Sequence, residues 1–193
     1  MKFLDLHKLS DKKLLKAGRI LIAEPFLKDS SFARSVVLLC EHGSEGALGF
    51  ILNKPTEMTI GDLLPELYAP TTIINKGGPV QLDTLHMLHG LPKELGGSEV
   101  ANGVYWGGSY EVLQSLITDT TLKNNLVKLL VGYAGWSPGQ LEDELKEGSW
   151  LISDINDDII FETDPNEMWR KAILSLGKEY AYLANMPTDP QLN

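Results

Sequence analysis

The chain has one cysteine among 193 residues, so an internal disulfide is excluded and a reducing compartment is expected. Cys40 follows the apolar run Val36, Val37, Leu38, Leu39, where a small hydrophobic side chain would simply pack. There is no apolar stretch near the roughly 20 residues that a membrane-spanning helix needs. Residues 1–16 interleave Asp5, His7, Lys8, Asp11, Lys12 and Lys13 with leucines, which is not the unbroken apolar core of a secretory signal. A cytoplasmic protein is expected, without membrane contact. Positive charge is also short: 17 Lys and Arg face 26 Asp and Glu, a net charge of -9. With no Lys/Arg cluster to offset it, this balance opposes the phosphate attraction that drives nucleic-acid binding. Direct DNA or RNA contact is not expected, whereas solubility or docking of a basic partner is. No G-x-S-x-G, H-E-x-x-H, C-x-x-C or G-x-x-x-x-G-K-[ST] motif is recognised, and no internal repeat or low-complexity tract is read.

What is present is ordinary globular material, 43% hydrophobic and 22% charged, far from the composition that leaves a chain disordered. A fold of this length buries roughly 70% of its unfolded surface. Residues 1–17 read as an N-terminal arm or a short helix, with Ser10 as N-cap and Gly18 as the left-handed stop. Residues 18–193 read as one α+β domain; Gly96-Gly97-Ser98 is its most linker-like stretch. The apolar runs 19–23, 35–40 and 47–52 have strand length and turn-forming boundaries, as expected of strands buried on both faces. The connection Glu41-His42-Gly43-Ser44-Glu45-Gly46 is too short for a crossover helix, so the second and third strands form an antiparallel hairpin. Further strands are expected at 72–75, 84–88, 100–106, 126–133 and 150–153, and helices at 59–67, 110–117, 138–146 and 165–176. Without a regular βαβ rhythm, the fold class is α+β, with helices packed on an antiparallel or mixed sheet.

The most distinctive segment is Tyr133-Ala-Gly-Trp136-Ser-Pro-Gly-Gln140-Leu-Glu-Asp-Glu144-Leu. Trp136 and Gln140 are candidate ligand contacts, but helix-start chemistry accounts for most of the pattern. Ser137 fits the N-cap, Pro138 the first helical position, Gln140 the return bond of a capping box, and Trp136 with Leu141 a hydrophobic staple. Glu142 and Glu144 suit the positive end of the helix. Asp164-Pro165-Asn166-Glu167 repeats this grammar before a helix whose Met168, Trp169, Ile173 and Leu176 form an apolar stripe. Gly77 and Gly78 could form a weak backbone anion nest, against the plainer reading of a tight turn. His86 and His89 fall on opposite faces of a strand and no third ligand follows, so no metal is expected. A Cys40–His42 nucleophile is disfavoured because neighbouring strand residues diverge. No catalytic residue and no cofactor is assigned.

Topology gives one constellation. If the first three strands are sequential antiparallel neighbours, Glu24, Asp29, Arg34 and Asn53 meet at one edge, with Phe32 and Lys54. They form a candidate site for a small ligand or a peptide terminus. The commoner outcome is Asp29 capping a turn and Arg34 pairing with a carboxylate. His42 lies at the opposite edge.

The order Gly18-Arg-Ile-Leu-Ile-Ala-Glu-Pro25, Asp29-x-x-Phe32, Arg34-Ser-Val-Val, Glu41-His42, Gly49-Phe-Ile-Leu-Asn53-Lys-Pro55, Gly77-Gly-Pro-Val80, Leu88-His89 and the block 133–145 resembles the AlgH/YqgE family of bacterial proteins. The resemblance runs from Gly18 to the final helix. It implies a bifurcated β-sheet curled into a pseudo-barrel, and carries the label of transcriptional regulator. It brings no catalytic residue or cofactor. Ser109 stands where the family commonly has Asp after its Gly pair, which keeps an N-cap and removes a carboxylate. The leading expectation is therefore a non-enzymatic regulatory or binding protein acting through an unidentified protein or small-molecule partner. The alternative is a small-molecule enzyme such as a hydrolase using the polar strand edge.

Overall fold

Gly18 takes a left-handed φ of +81° and turns the chain into the first of the apolar runs, which become neighbouring strands. The computed structural model describes residues 14–63, 73–118, 126–154 and 158–187. Most of the helix expected before Gly18, and the far end of the one expected at 59–67, lie outside these residues. The strands are β1 (Arg19–Ala23), β2 (Val36–Gly43), β3 (Gly46–Ile51), β4 (Pro55–Thr59), β5 (Ile73–Lys76), β6 (Val80–His89), β7 (Ser98–Ala101), β8 (Val104–Trp106), β9 (Val127–Trp136) and β10 (Trp150–Asp154). The helices are α1 (Ile60–Leu63), α2 (Pro92–Leu95), α3 (Tyr110–Thr118), α4 (Gln140–Lys146) and α5 (Pro165–Ser175).

The order across the sheet is β10-β1-β2-β3-β9-β6-β8-β7, and β1, β2 and β3 are sequential antiparallel neighbours as their short connections require. The sheet forks at β9. Its end, Ala134 to Trp136, pairs antiparallel with β3, while Leu129 to Val131 pair in parallel with β5, and β6 runs along the other edge. β4 extends the second branch by pairing with β5. The result is a mixed sheet curled into a half-barrel and packed with helices.

Period-2 alternation then sorts the side chains. Ile20, Ile22, Val36, Leu38, Phe50 and Leu151 enter a core closed by Met168, Trp169, Ala172 and Ile173 of α5. Leu21, Ala23, Val37, Leu39, Ile51 and Ile152 enter a second core under Leu141 and Leu145 of α4. The central strands are thus buried on both faces. A third core joins Ile74, Met87, Leu129 and Val131 to Ile60, Leu95 and Leu113 of α1, α2 and α3.

At the fork, Gly77 donates its amide to Val131 O at 2.8 Å and accepts from Ile51 N at 2.7 Å. A Cβ on Gly77 would lie 2.3 Å from Gly132 O, and one on Gly78 2.0 Å from Tyr133 C. These glycines therefore let three backbones converge. The anion nest expected of Gly77 and Gly78 is corrected: the Gly77 amide is committed to the sheet.

β4 and α2 have no counterpart in the sequence reading, β9 runs on to Trp136 beyond the expected end at 133, and other boundaries also differ. The strand expected over 100–106 is a hairpin of β7 and β8, because Asn102 (φ +47°) and Gly103 (φ +81°) supply the two left-handed residues of a tight hairpin turn. The strand expected from 84 begins at Val80 and carries a bulge, with Gln81 at φ +48°. The helix expected from 138 begins at Gln140 with Gly139, not Ser137, at its cap position.

Replacing Gly78 with Ala should lower stability by about 3 kcal/mol or more, the upper range for forced overpacking. Urea unfolding is expected to show a lower midpoint with an unchanged m-value; an unaltered midpoint contradicts the packing account.

Candidate functional site

Two clefts lie near opposite ends of β2. At its start, a cleft of about 340 Å³ is lined by Arg34, Asn53, Lys54, Glu167, Trp169 and Arg170, among others. Asn53 shapes it. Its Oδ1 accepts from Val36 N at 2.9 Å and its Nδ2 donates to Arg34 O at 2.9 Å, clamping the chain on both sides of Ser35. Lys54 Nζ adds a bond to Ala33 O at 2.8 Å, and burial lowers its pKa. Between these anchors Arg34 is held at φ +51°, a conformation that costs a residue with a Cβ roughly 1–2 kcal/mol. The guanidinium lies over the Trp169 ring, 4.6 Å from its centroid, and donates to Met186 O. Trp169 is itself fixed by a bond from Nε1 to Ala23 O at 2.8 Å.

The structure brings together only part of the expected edge constellation. Arg34, Asn53 and Lys54 line the cleft; Glu24 and Asp29 do not. Asp29 caps a turn, its Oδ1 accepting from Ser31 N at 2.8 Å. Arg34 pairs with a carbonyl and an aromatic ring, where a carboxylate partner was expected. Phe32 joins the second core, edge-on to Trp150 at 5.5 Å. Trp169 and Arg170 were missed as cleft residues. Trp169 reads as core stripe and Arg170 carries no reading, and nothing in the sequence says that α5 covers this edge.

The second cleft, about 480 Å³, lies at the turn of the β2–β3 hairpin against the end of β9, where Glu41, Glu45, Leu48, Tyr133, Trp136 and Pro138 are among its walls. Trp136 is nearly buried, and its Nε1 donates to Glu144 Oε2 at 2.9 Å, as does Trp150 Nε1 at 2.8 Å. Gln140 Nε2 donates to the other oxygen of Glu144 at 2.9 Å, and Gln140 Oε1 accepts from Ser137 N at 3.0 Å. The bond expected from Gln140 back to the residue 137 amide is therefore made, although Gly139 holds the cap position. Glu144, read from sequence as a helix-dipole residue, is the acceptor that satisfies two core indoles. His42 Nε2 meets Glu142 Oε1 at 2.9 Å and ties the hairpin to α4; partial desolvation raises the Glu142 pKa, but the His42 bond, a bond to its own backbone amide and the His42 charge together outweigh it and the net shift is down.

The reading that no G-x-S-x-G is present is corrected: Gly135-Trp136-Ser137-Pro138-Gly139 has that spacing. The geometry does not support a nucleophile there. Such an elbow needs a strained serine on its turn, yet Ser137 is not among the positive-φ residues, and the nearby imidazole of His42 is engaged with Glu142. Cys40 is buried, its thiol pKa pushed up by desolvation and by the Glu41 charge, so the thiolate needed for nucleophilic chemistry is disfavoured. His86 packs among Phe50, Trp106 and Tyr133, whereas His89 Nε2 donates to Gly107 O and its Nδ1 accepts from Leu91 N.

Lys128 is a half-buried cation whose Nζ donates to Leu52 O at 3.0 Å, and desolvation lowers its pKa to about 8.

A family model described as AlgH-like matches residues 20–181. A UPF0301 protein from Cytophaga hutchinsonii is 43% identical over 182 residues, covering 93% of this chain and 100% of the relative. The UPF0301 protein CT0663 of Chlorobaculum tepidum is 42% identical over 182 residues, covering 94% and 97%. The solution structure of the AlgH protein from Pseudomonas aeruginosa matches with a TM-score of 0.65 and 30% identity over 88% of this chain and 93% of that one. A crystal structure from Corynebacterium diphtheriae matches in fold, with a TM-score of 0.72 at 20% identity over 89% and 93%.

Two outcomes test the site chemistry. Glu144→Ala should cost about 2–4 kcal/mol, because two buried indole N–H groups lose their acceptor at roughly 1–3 kcal/mol each, whereas Glu144→Gln should cost less; equal losses by chemical denaturation would count against the shared-acceptor role. For Lys128 the folded pKa of about 8 lies below the unfolded value of about 10.4. Between them the unfolded chain binds more protons, so this group's contribution to stability rises with pH. The stability of Lys128→Met relative to wild type should therefore decline from pH 8 to 10; a constant difference would refute it.

Proposed function

The chain belongs to the AlgH-like family, and from that premise we propose that it is a non-enzymatic binding protein with a regulatory role, acting in the cytoplasm by docking a basic segment of a partner protein. One observation carries this reading. The larger of the two clefts is lined by Glu41 and Glu45 together with Tyr133, Leu48 and Pro138. Carboxylates next to an aromatic ring suit the ammonium or guanidinium of a Lys or Arg whose stem packs on apolar surface. The net charge of -9 favours encounter with such a partner and opposes a nucleic-acid backbone. The regulator label that the resemblance carries is then met indirectly, through protein contact.

The test is fluorescence anisotropy with a labelled Lys/Arg-rich peptide, an acidic peptide and a DNA duplex at low salt. Binding of the basic peptide alone, weakened about tenfold or more in Glu41→Lys/Glu45→Lys, is the expected result. Equal affinity in the double variant, or duplex binding that falls steeply with salt, would overturn the proposal.

A further inference from the structure

The cleft at the start of β2 differs from the groove in charge and in rigidity. Its lining holds three cations, Arg34, Lys54 and Arg170, against one carboxylate, Glu167, in a chain whose net charge is -9. Local charge is therefore inverted relative to the whole molecule. The backbone that presents Arg34 is held in a left-handed conformation by both ends of the Asn53 amide and by Lys54. Strain of this kind persists only where the surroundings over-determine it, and it clusters at ligand clamps. A flexible arginine has been made into a fixed one, laid over the buried ring of Trp169. Among the described residues Arg34 is anchored through Nη2, to Met186 O, and Arg170 is exposed on α5. The start of α5 contributes little by itself: Asp164 already takes the Asn166 amide at 2.8 Å, and Pro165 has no amide hydrogen.

We infer that this cleft is a ligand site for a small metabolite bearing an oxyanion, carboxylate or phosphate, held between the guanidinium groups of Arg34 and Arg170 and the ammonium of Lys54. Guanidinium forks match the planar, bidentate geometry of carboxylate and phosphate oxygens. A volume of about 340 Å³ lies at the small end of the range for metabolite sites, roughly 300–1,000 Å³. The site is separate from the acidic cleft at the other end of β2: the seven residue steps from Arg34 to Glu41, most of them in β2, span up to about 23 Å.

The experiment is a thermal-shift and calorimetric titration of the full chain with inorganic phosphate and with succinate, at ionic strength matched by chloride. A saturable rise in Tm and a measurable binding heat are expected for at least one probe. Which probe binds more tightly separates phosphate from carboxylate as the preferred group. Arg170→Gln removes an exposed charge and should leave the protein folded while weakening binding about tenfold or more. Arg34→Lys, which keeps charge but loses the fork, should weaken it likewise. Glu41→Lys/Glu45→Lys should leave it unchanged. No saturable response to either probe up to tens of millimolar, or an affinity indifferent to Arg170→Gln, would overturn the inference.

Discussion

The forked pairing of β9 is the constraint on which the rest of this fold depends. One strand hydrogen-bonds with β3 along one half and with β5 along the other, so three backbones must meet where no side chain can intervene. Gly77 and Gly78 make that possible, and the bonds from Ile51 N to Gly77 O and from Gly77 N to Val131 O close the junction. Lys76 N then donates to Lys54 O at 2.7 Å, which fixes the residues just beyond β3. The turn bearing Asn53 and Lys54 is thus an extension of the fork. Since Asn53 in turn clamps Arg34, the geometry of the cationic cleft is inherited from the convergence of strands rather than set by a loop of its own.

How much of this was legible in the sequence depended on whether the deciding interaction was local. The strands β1, β2 and β3, their antiparallel order and their double burial follow from short connections and apolar runs. Asp164 capping α5 and Ser109 Oγ accepting from Val112 N at 3.2 Å follow from side chains one turn from their partners. The tight turn inside 100–106 was written as Asn-Gly and could have been read. The role of Glu144 could not, because the indoles it serves arrive from β9 and β10, and only tertiary packing puts them at one carboxylate. The same holds for the cleft. Arg34 and Asn53 were placed at one edge by topology, but Trp169 and Arg170 come from a helix more than a hundred residues later, docked by its apolar stripe.

Net charge was the least reliable guide to local chemistry, for a physical reason. Charges on the surface act over about 8 Å at physiological salt, while the groove and the cleft lie up to about 23 Å apart along β2. The surplus of carboxylates that repels a polyanion approaching from a distance therefore does little to cancel Arg34, Lys54 and Arg170 within their own cavity. A long nucleic acid must meet the field of the whole molecule, whereas a small oxyanion meets only the residues that line the cleft. An acidic protein can consequently disfavour one class of phosphate ligand and still hold the geometry for another, and the distinction rests on the range of the interaction rather than on its sign.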